Sequence, residues 1–299
     1  MIDTHSHIQF KIFDQNRAEV IKQALEAGVE KIIAVGTDVE SSKKAVAVAE
    51  KYSSVYAAVG IHPHHVFAFV ERSDPSTSFH EVIRVETSLN LFQDKSSHSR
   101  EILHSVQENL SSLMHHPKVV AIGETGLDAH HYPSTKYPNY EISEEFLKLQ
   151  EKVFISQIKL AIQYQKTLII HNRGMADQLL EIFIKQWDPF LSRRAVFHCC
   201  EPNKKMLDFA KKHQVFIGVD GDITYDKDKQ SFIQQVPLEL LVLETDSPFF
   251  IPDPLKSSGD KINTPANLPI IAEFINKLMG QNVQLMSRNN ALVLFKLPT

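Results

Sequence analysis

Six places along the 299-residue chain set a histidine or a carboxylate directly after a short apolar run. They are His5-Ser6-His7, Gly60-Ile61-His62-Pro63-His64-His65, Gly123-Glu124-Thr125-Gly126-Leu127-Asp128, His171-Asn172-Arg173, His198-Cys199-Cys200 and Glu244-Thr245-Asp246-Ser247-Pro248. Taken singly, each has an ordinary explanation. A histidine after a strand is usually a surface or hydrogen-bonded residue, and a carboxylate there often caps the next helix, as Asp38 and Asp128 could. Taken together, they describe a metal centre. Alternate residues of an extended chain point the same way, so His5 and His7 can reach one ion. Four imidazoles (His5, His7, His171, His198) with two carboxylates (Glu124, Asp246) suit Zn²⁺, Mn²⁺ or Fe²⁺, with Mg²⁺ a further candidate. Two such ions roughly 3.5–4 Å apart clamp the attacking and leaving oxygens of a hydrolytic displacement. Glu124 is the natural bridge between them. Asp246 is expected to serve also as general base, because the histidine lone pairs are committed and Glu124 is shared; Glu244 is the second choice. His62 and His64, stiffened by Pro63, are expected to serve the substrate.

Clusters of this kind need strand ends to hold them. Eight runs read as strands: Met1–Thr4, Lys31–Val35, Val55–Gly60, Val119–Gly123, Thr167–Ile170, Ala195–Phe197, Val215–Gly218 and Leu240–Leu243. Most are nearly all apolar, as parallel strands covered on both faces must be. Helical patterns lie between them, from Asn16 to Gly28, near 40–51, 142–164, 174–187 and 202–213, and after Thr264-Pro265. This alternation predicts a single-domain (β/α)₈ TIM-type barrel, with an open doubly wound sheet as runner-up. In such a barrel the C-terminal ends of the strands form the active-site face, where all six clusters fall. The polar stretch Glu71–Arg100, with an apolar patch from Val82 to Phe92, reads as an insertion at the rim.

Composition narrows the partners. Hydrophobic residues are 43% and charged residues 23%, ordinary for a globular chain, and the net charge is -4. A protein that coats duplex DNA needs a broad basic face, so the expected substrate is a nucleic-acid end, single-stranded DNA or RNA, gripped locally beside the ions. No signal peptide and no membrane span are read, and a cytoplasmic monomer is expected. The two cysteines, Cys199 and Cys200, are adjacent, which suits packing in a reducing compartment better than a disulfide framework. Trp187, Phe249 and Phe250 read as core or rim packing before base stacking.

The same motifs, together with Asn263-Thr264-Pro265-Ala266-Asn267-Leu268-Pro269, resemble the TatD family of the amidohydrolase superfamily, from residue 1 to about residue 296. The resemblance implies a (β/α)₈ barrel, a divalent-metal centre and phosphodiester hydrolysis, including 3′-to-5′ DNA exonuclease activity. It implies His5, His7, Glu124, His171, His198 and Asp246 as ligands, His62 and His64 near the scissile phosphate, and Arg173 and Glu244 beside the centre. Two departures bear on the substrate. Cys199-Cys200-Glu201-Pro202 stands where the family has Cys-Phe-Ser-Gly, and Arg173-Gly174-Met175-Ala176-Asp177 where it has Arg-Asp-Ala. Two other functions fit the same residues: hydrolysis of D-aminoacyl-tRNA or another ester, and a non-catalytic metal-binding scaffold.

Overall fold

The structure, a computed structural model, describes residues 1–71, 95–137 and 139–299. Eight strands form one parallel sheet in sequential order: β1 (Ile2–Ser6), β2 (Lys31–Val35), β3 (Val55–Val59), β4 (Val119–Asp128), β5 (Thr167–Arg173), β6 (Ala195–Phe197), β7 (Phe216–Val219) and β8 (Leu241–Leu243). The sheet rolls up where the chain after β8 meets β1. Ser6 bridges to Ser247, the His7 N–H donates to Ser247 O at 2.7 Å, and the Asp246 N–H donates to His5 O at 2.9 Å. The helices among the described residues are α1 (Arg17–Glu26), α2 (Val39–Lys51), α3 (Phe67–Glu71), α4 (Lys95–Met114), α5 (Glu144–Gln163), α6 (Ala176–Lys185), α7 (Lys204–His213), α8 (Lys227–Ile233), α9 (Leu255–Ser258), α10 (Leu268–Met279) and α11 (Gln284–Phe295). This is the predicted (β/α)₈ barrel, not the open sheet. No helix among the described residues is long and apolar enough to cross a membrane.

Three strands run further into their polar motifs than the apolar pattern suggests, β1 to Ser6, β4 to Asp128 and β5 to Arg173. Thr125–Asp128 pair with Ile170–Arg173, so the polar motifs of β4 and β5 are themselves strand and not the loops beyond. Their positions are therefore held by ladder hydrogen bonds. The register slips by one residue between Asp3 and Ser6 of β1, and again between Ile122 and Thr125 of β4. A bulge re-aims the side chains at the slip, and His5 and Glu124 sit in these two.

The last part of the expected insertion, from Lys95, is helix. Residues 72–94, with the stretch from Val82 to Phe92, lie outside the described residues. From Lys95 the chain is α4, whose Ile102, Val106, Leu110 and Met114 recur every fourth residue and are buried. That spacing makes one helical face.

The main core lies between strands and helices, and a second lies inside the barrel, where Ile33, Ala58, Ile169, Val196, Phe216 and Val242 meet. Helix α11 closes this inner core from the N-terminal end of the strands with Ala291, Leu294 and Phe295. It is also stitched there by polar bonds. Ser287 Oγ accepts the Leu243 N–H at 3.1 Å, and Asn290 Nδ2 donates to Leu238 O and Leu241 O at 2.7 and 2.8 Å. Arg288 pairs with both oxygens of Glu30, at 2.5 and 2.8 Å.

Phe295 is fully enclosed and Leu285, on the same helix, is 68% exposed. Phe295→Ala is expected to lower the unfolding free energy by about 3–5 kcal/mol, while Leu285→Ala stays within about 0.5 kcal/mol; urea titration of both variants checks this. The Arg288 guanidinium holds the Glu30 carboxyl down at about 2, below its ordinary 4.5. Because the folded value is depressed, the pair's stabilisation is complete above pH 4.5 and fades as pH falls towards 2. The difference in melting temperature between wild type and Glu30→Gln should be present at pH 7 and shrink across that window.

Candidate metal centre

Rolling the barrel shut brings the polar motifs to one point on its axis. Glu124, almost fully buried, is the hub. Its Oε2 faces His5 Nε2 at 3.5 Å and His7 Nε2 at 3.8 Å. Its Oε1 faces His171 Nδ1 at 2.7 Å, His198 Nε2 at 3.5 Å and His62 Nε2 at 3.6 Å. Asp246 stands on the first side, its Oδ1 3.2 Å from His7 Nε2 and 3.6 Å from His5 Nε2. Two donor groups result, His5–His7–Glu124 and Glu124–His171–His198, with Asp246 closing a third beside His5 and His198. The rings of His5 and His198 stack at 3.5 Å between them. The six residues predicted from the sequence are thus all brought together.

Each side chain is aimed by a second residue. His7 Nδ1 is 2.8 Å from Val35 O, which leaves Nε2 for the centre. His198 Nδ1 is 3.0 Å from Glu244 Oε1, which also accepts the Cys199 N–H at 2.6 Å, while Thr4 Oγ1 donates to Glu244 Oε2 at 3.3 Å. Room for this buried carboxylate exists only because residue 218 is glycine: a Cβ there would stand 2.5 Å from Glu244 Oε2. His171 Nε2 is 3.0 Å from Asp128 Oδ2, which accepts the Tyr132 hydroxyl at 2.7 Å. Asp128 is therefore not merely the cap its position suggests; nor is Asp38, which caps α2 by accepting the Ser41 N–H and also accepts from Lys136 Nζ at 2.9 Å. Arg173 is exposed and reaches Tyr132, its Nη1 donating to the hydroxyl at 3.4 Å. Asp3 ties β1 to β8 by accepting the Thr245 N–H at 3.0 Å and hydroxyl at 2.6 Å; burial pushes its carboxyl up to about 7 against those bonds.

His64 does not reach Glu124. Pro63 opens a 3₁₀ turn (Pro63–Val66), so the alternation of an extended chain no longer applies, and the ring turns away. It lies among Tyr132, Tyr140 and Tyr137, with Nε2 2.9 Å from Thr135 Oγ1. Phe249 packs at the rim against His7 and Phe10 while 49% exposed, and Phe250 beside it is also exposed. Trp187 does pack, against Phe183 and Phe209, and burial holds both thiols up, Cys200 to about 12. The sequence also gives no hint of a buried group behind the centre: Lys229 Nζ lies 2.6 Å from Asp222, 3.7 Å from Asp220 and 3.5 Å from Cys199 Sγ. These residues already hold their cation, the lysine itself.

The donors at Glu124 suit a metal ion. His5 has no exposure and neither ring nitrogen has a hydrogen-bond partner; Asp246 Oδ1 is equally orphaned. Buried orphans cost about 1–3 kcal/mol each, and a cation between them supplies what they lack. Electrostatics agree. Burial lowers His5, whereas Glu124 is held well below the ordinary carboxylate range, the surrounding imidazoles outweighing its burial. Burial would also lower His171 and His198, but Asp128 with Glu124 lifts the first to about 9, and Glu244 lifts the second to about 10.

A parallel barrel whose C-terminal rim converges imidazoles on a shared carboxylate is the architecture of a metal-dependent hydrolase. The family model for TatD related DNases matches residues 2–296, and the chain belongs to the TatD family. It is 27% identical to the uncharacterized metal-dependent hydrolase YabD of Bacillus subtilis over 99% of both chains. It is 25% identical to the 3′-5′ ssDNA/RNA exonuclease TatD of Escherichia coli, over 94% of this chain and 92% of that one. Among solved structures it is similar to YjjV, a TatD homolog from Escherichia coli, with a TM-score of 0.76, 25% identity and coverage of 100% and 98%.

Glu244→Gln keeps the shape of the side chain that aims His198 but removes its charge. Affinity for Mn²⁺ or Zn²⁺, read by chelator competition, should fall about 10–100-fold while the circular dichroism spectrum is unchanged.

Proposed function

We propose that this chain is a two-metal phosphodiesterase that removes nucleotides from the 3′ end of single-stranded DNA or RNA. The observation that carries this reading is the division of Glu124, whose two oxygens serve two different imidazole groups. His5, His7 and Asp246 with Glu124 Oε2 would hold one divalent ion, and His171 and His198 with Oε1 the other. Such ions, when bound, neutralise phosphate charge and lower the pKa of water towards neutrality. A relative named as a 3′-5′ ssDNA/RNA exonuclease supports the choice of substrate.

The remaining work falls to the chain. Asp246 projects from the closing seam in left-handed backbone (φ 47°), a conformation that costs a non-glycine residue energy and is kept at functional sites. Its carboxylate takes the proton of the attacking water as general base. His62 Nδ1 accepts the His64 backbone N–H at 3.1 Å, and burial keeps its ring neutral, so its proton sits on Nε2, aimed at the centre. That N–H donates to a phosphate oxygen. A nitrogen carrying a proton cannot ligate, which separates His62 from the four ligand histidines. Arg173, at the exposed end of the Tyr132–Asp128–His171 line, holds the next phosphate of the chain.

Protein stripped with EDTA is expected to lose hydrolysis of a 5′-labelled single-stranded oligonucleotide and to regain it with Mn²⁺ or Mg²⁺. Products should shorten one nucleotide at a time from the 3′ side, and a closed single-stranded circle should survive. Full turnover by metal-free protein, or efficient cutting of the circle, would contradict the proposal. Asp246→Asn should lower kcat by about two to four orders of magnitude, with metal retained in part and KM little changed.

A further inference from the structure

One wall of the centre is apolar, and nothing in the reaction just described uses it. Phe10 lies flat on the His7 ring, 4.6 Å between centroids and 12° between planes. Phe249 stands nearly upright to both, 6.0 Å from His7 at 70° and 6.4 Å from Phe10 at 78°. His7 Nε2 is in turn 3.2 Å from Asp246 Oδ1, so this aromatic wall adjoins the carboxylate that takes the proton.

Single exposed apolar residues are ordinary on protein surfaces. Phe249 differs in being held out. Its N–H donates to Asp246 O at 2.8 Å, and the Asn263 N–H donates to Pro248 O at 3.0 Å. Asn263 Nδ2 donates to Thr245 O at 2.8 Å and Phe250 O at 3.2 Å. The backbone at Phe250 is left-handed, φ 45°. A loop fixed on both sides of the ring, and still leaving half of it open, presents the ring by construction. On the opposite wall, Tyr132 and Tyr140 pack around His64 and spend their faces on one another.

The chemistry of the occupant follows from size and place. A protein interface needs about 800 Å² from each partner, several times what two phenyl rings offer. A planar ring carried by the reacting phosphodiester matches both the area and the position. We propose that Phe249, backed by Phe10, is the stacking platform for the base of the 3′-terminal nucleotide, the one released. This deepens the phosphodiesterase reading and rests on it. Every base has a π face, so the platform makes the enzyme indifferent to which base ends the strand.

The test uses metal-loaded protein and two oligonucleotides of one sequence, ending in a normal nucleotide or in an abasic tetrahydrofuran residue. Phe249→Ala should raise KM for the normal end about 10-fold, equal to ~1.4 kcal/mol, with kcat within about three-fold. The abasic end should cost wild type the same factor and cost Phe249→Ala nothing more, because both changes remove one contact. Phe249→Trp should restore KM, Phe249→Leu should not, and Leu285→Ala should match wild type. Independent, multiplying losses from the variant and the abasic end, or a variant that lowers kcat and melting temperature with KM unchanged, would reduce Phe249 to packing. Wild type that cleaves the normal and abasic ends equally well overturns the platform while leaving the phosphodiesterase intact. Wild type that cleaves neither overturns the function and the platform with it.

Discussion

A carboxylate on the axis of an apolar barrel is the constraint to which the rest of this molecule answers. Burying Glu124 in its charged form is unfavourable unless charge or hydrogen bonds compensate it. The barrel supplies compensation from five histidines on four strand ends, and each oxygen is addressed separately. That arrangement needs side chains at angles a regular strand does not give, hence the slips in β1 and β4. It also needs volume, which Gly218 provides beside Glu244.

The two ends of the barrel divide the labour accordingly. At the rim, stability is given up: orphaned nitrogens on His5, an orphaned oxygen on Asp246 and left-handed backbone at Cys199 and Asp246. At the opposite end, α11 fills the inner core with Leu294 and Phe295 and satisfies strand-end carbonyls through Asn290. The well-packed end carries the strain of the other.

Most of the centre is legible in the sequence because chemistry limits which residues can stand at strand ends. His5, His7, Glu124, His171, His198 and Asp246 stand out by type and position, and a barrel is the simplest fold that collects them. What escapes reading has physical reasons. Asp128 looks like a helix cap because its partner, Tyr132, arrives by way of a loop with no spacing rule. His64 looks equivalent to His62 until Pro63 winds the chain into a tight turn. Helix α11 is obscured because Ser287 and Asn290, polar by type, are buried as hydrogen-bonding partners and interrupt the apolar stripe. The buried Lys229 pairs with aspartates from another element, so no local pattern announces it.

The seam between β8 and β1 also sets a timetable. Ser6 and Ser247 are joined across 241 positions of chain, as are Asp3 and Thr245 across 242. While the protein is being synthesised, His5 and His7 emerge early and wait for Asp246 until the chain is more than four-fifths made. No ribosome-bound intermediate that stops short of β8 can assemble the full donor set. Completion of the donor set around Glu124 is thereby deferred until the seam can close.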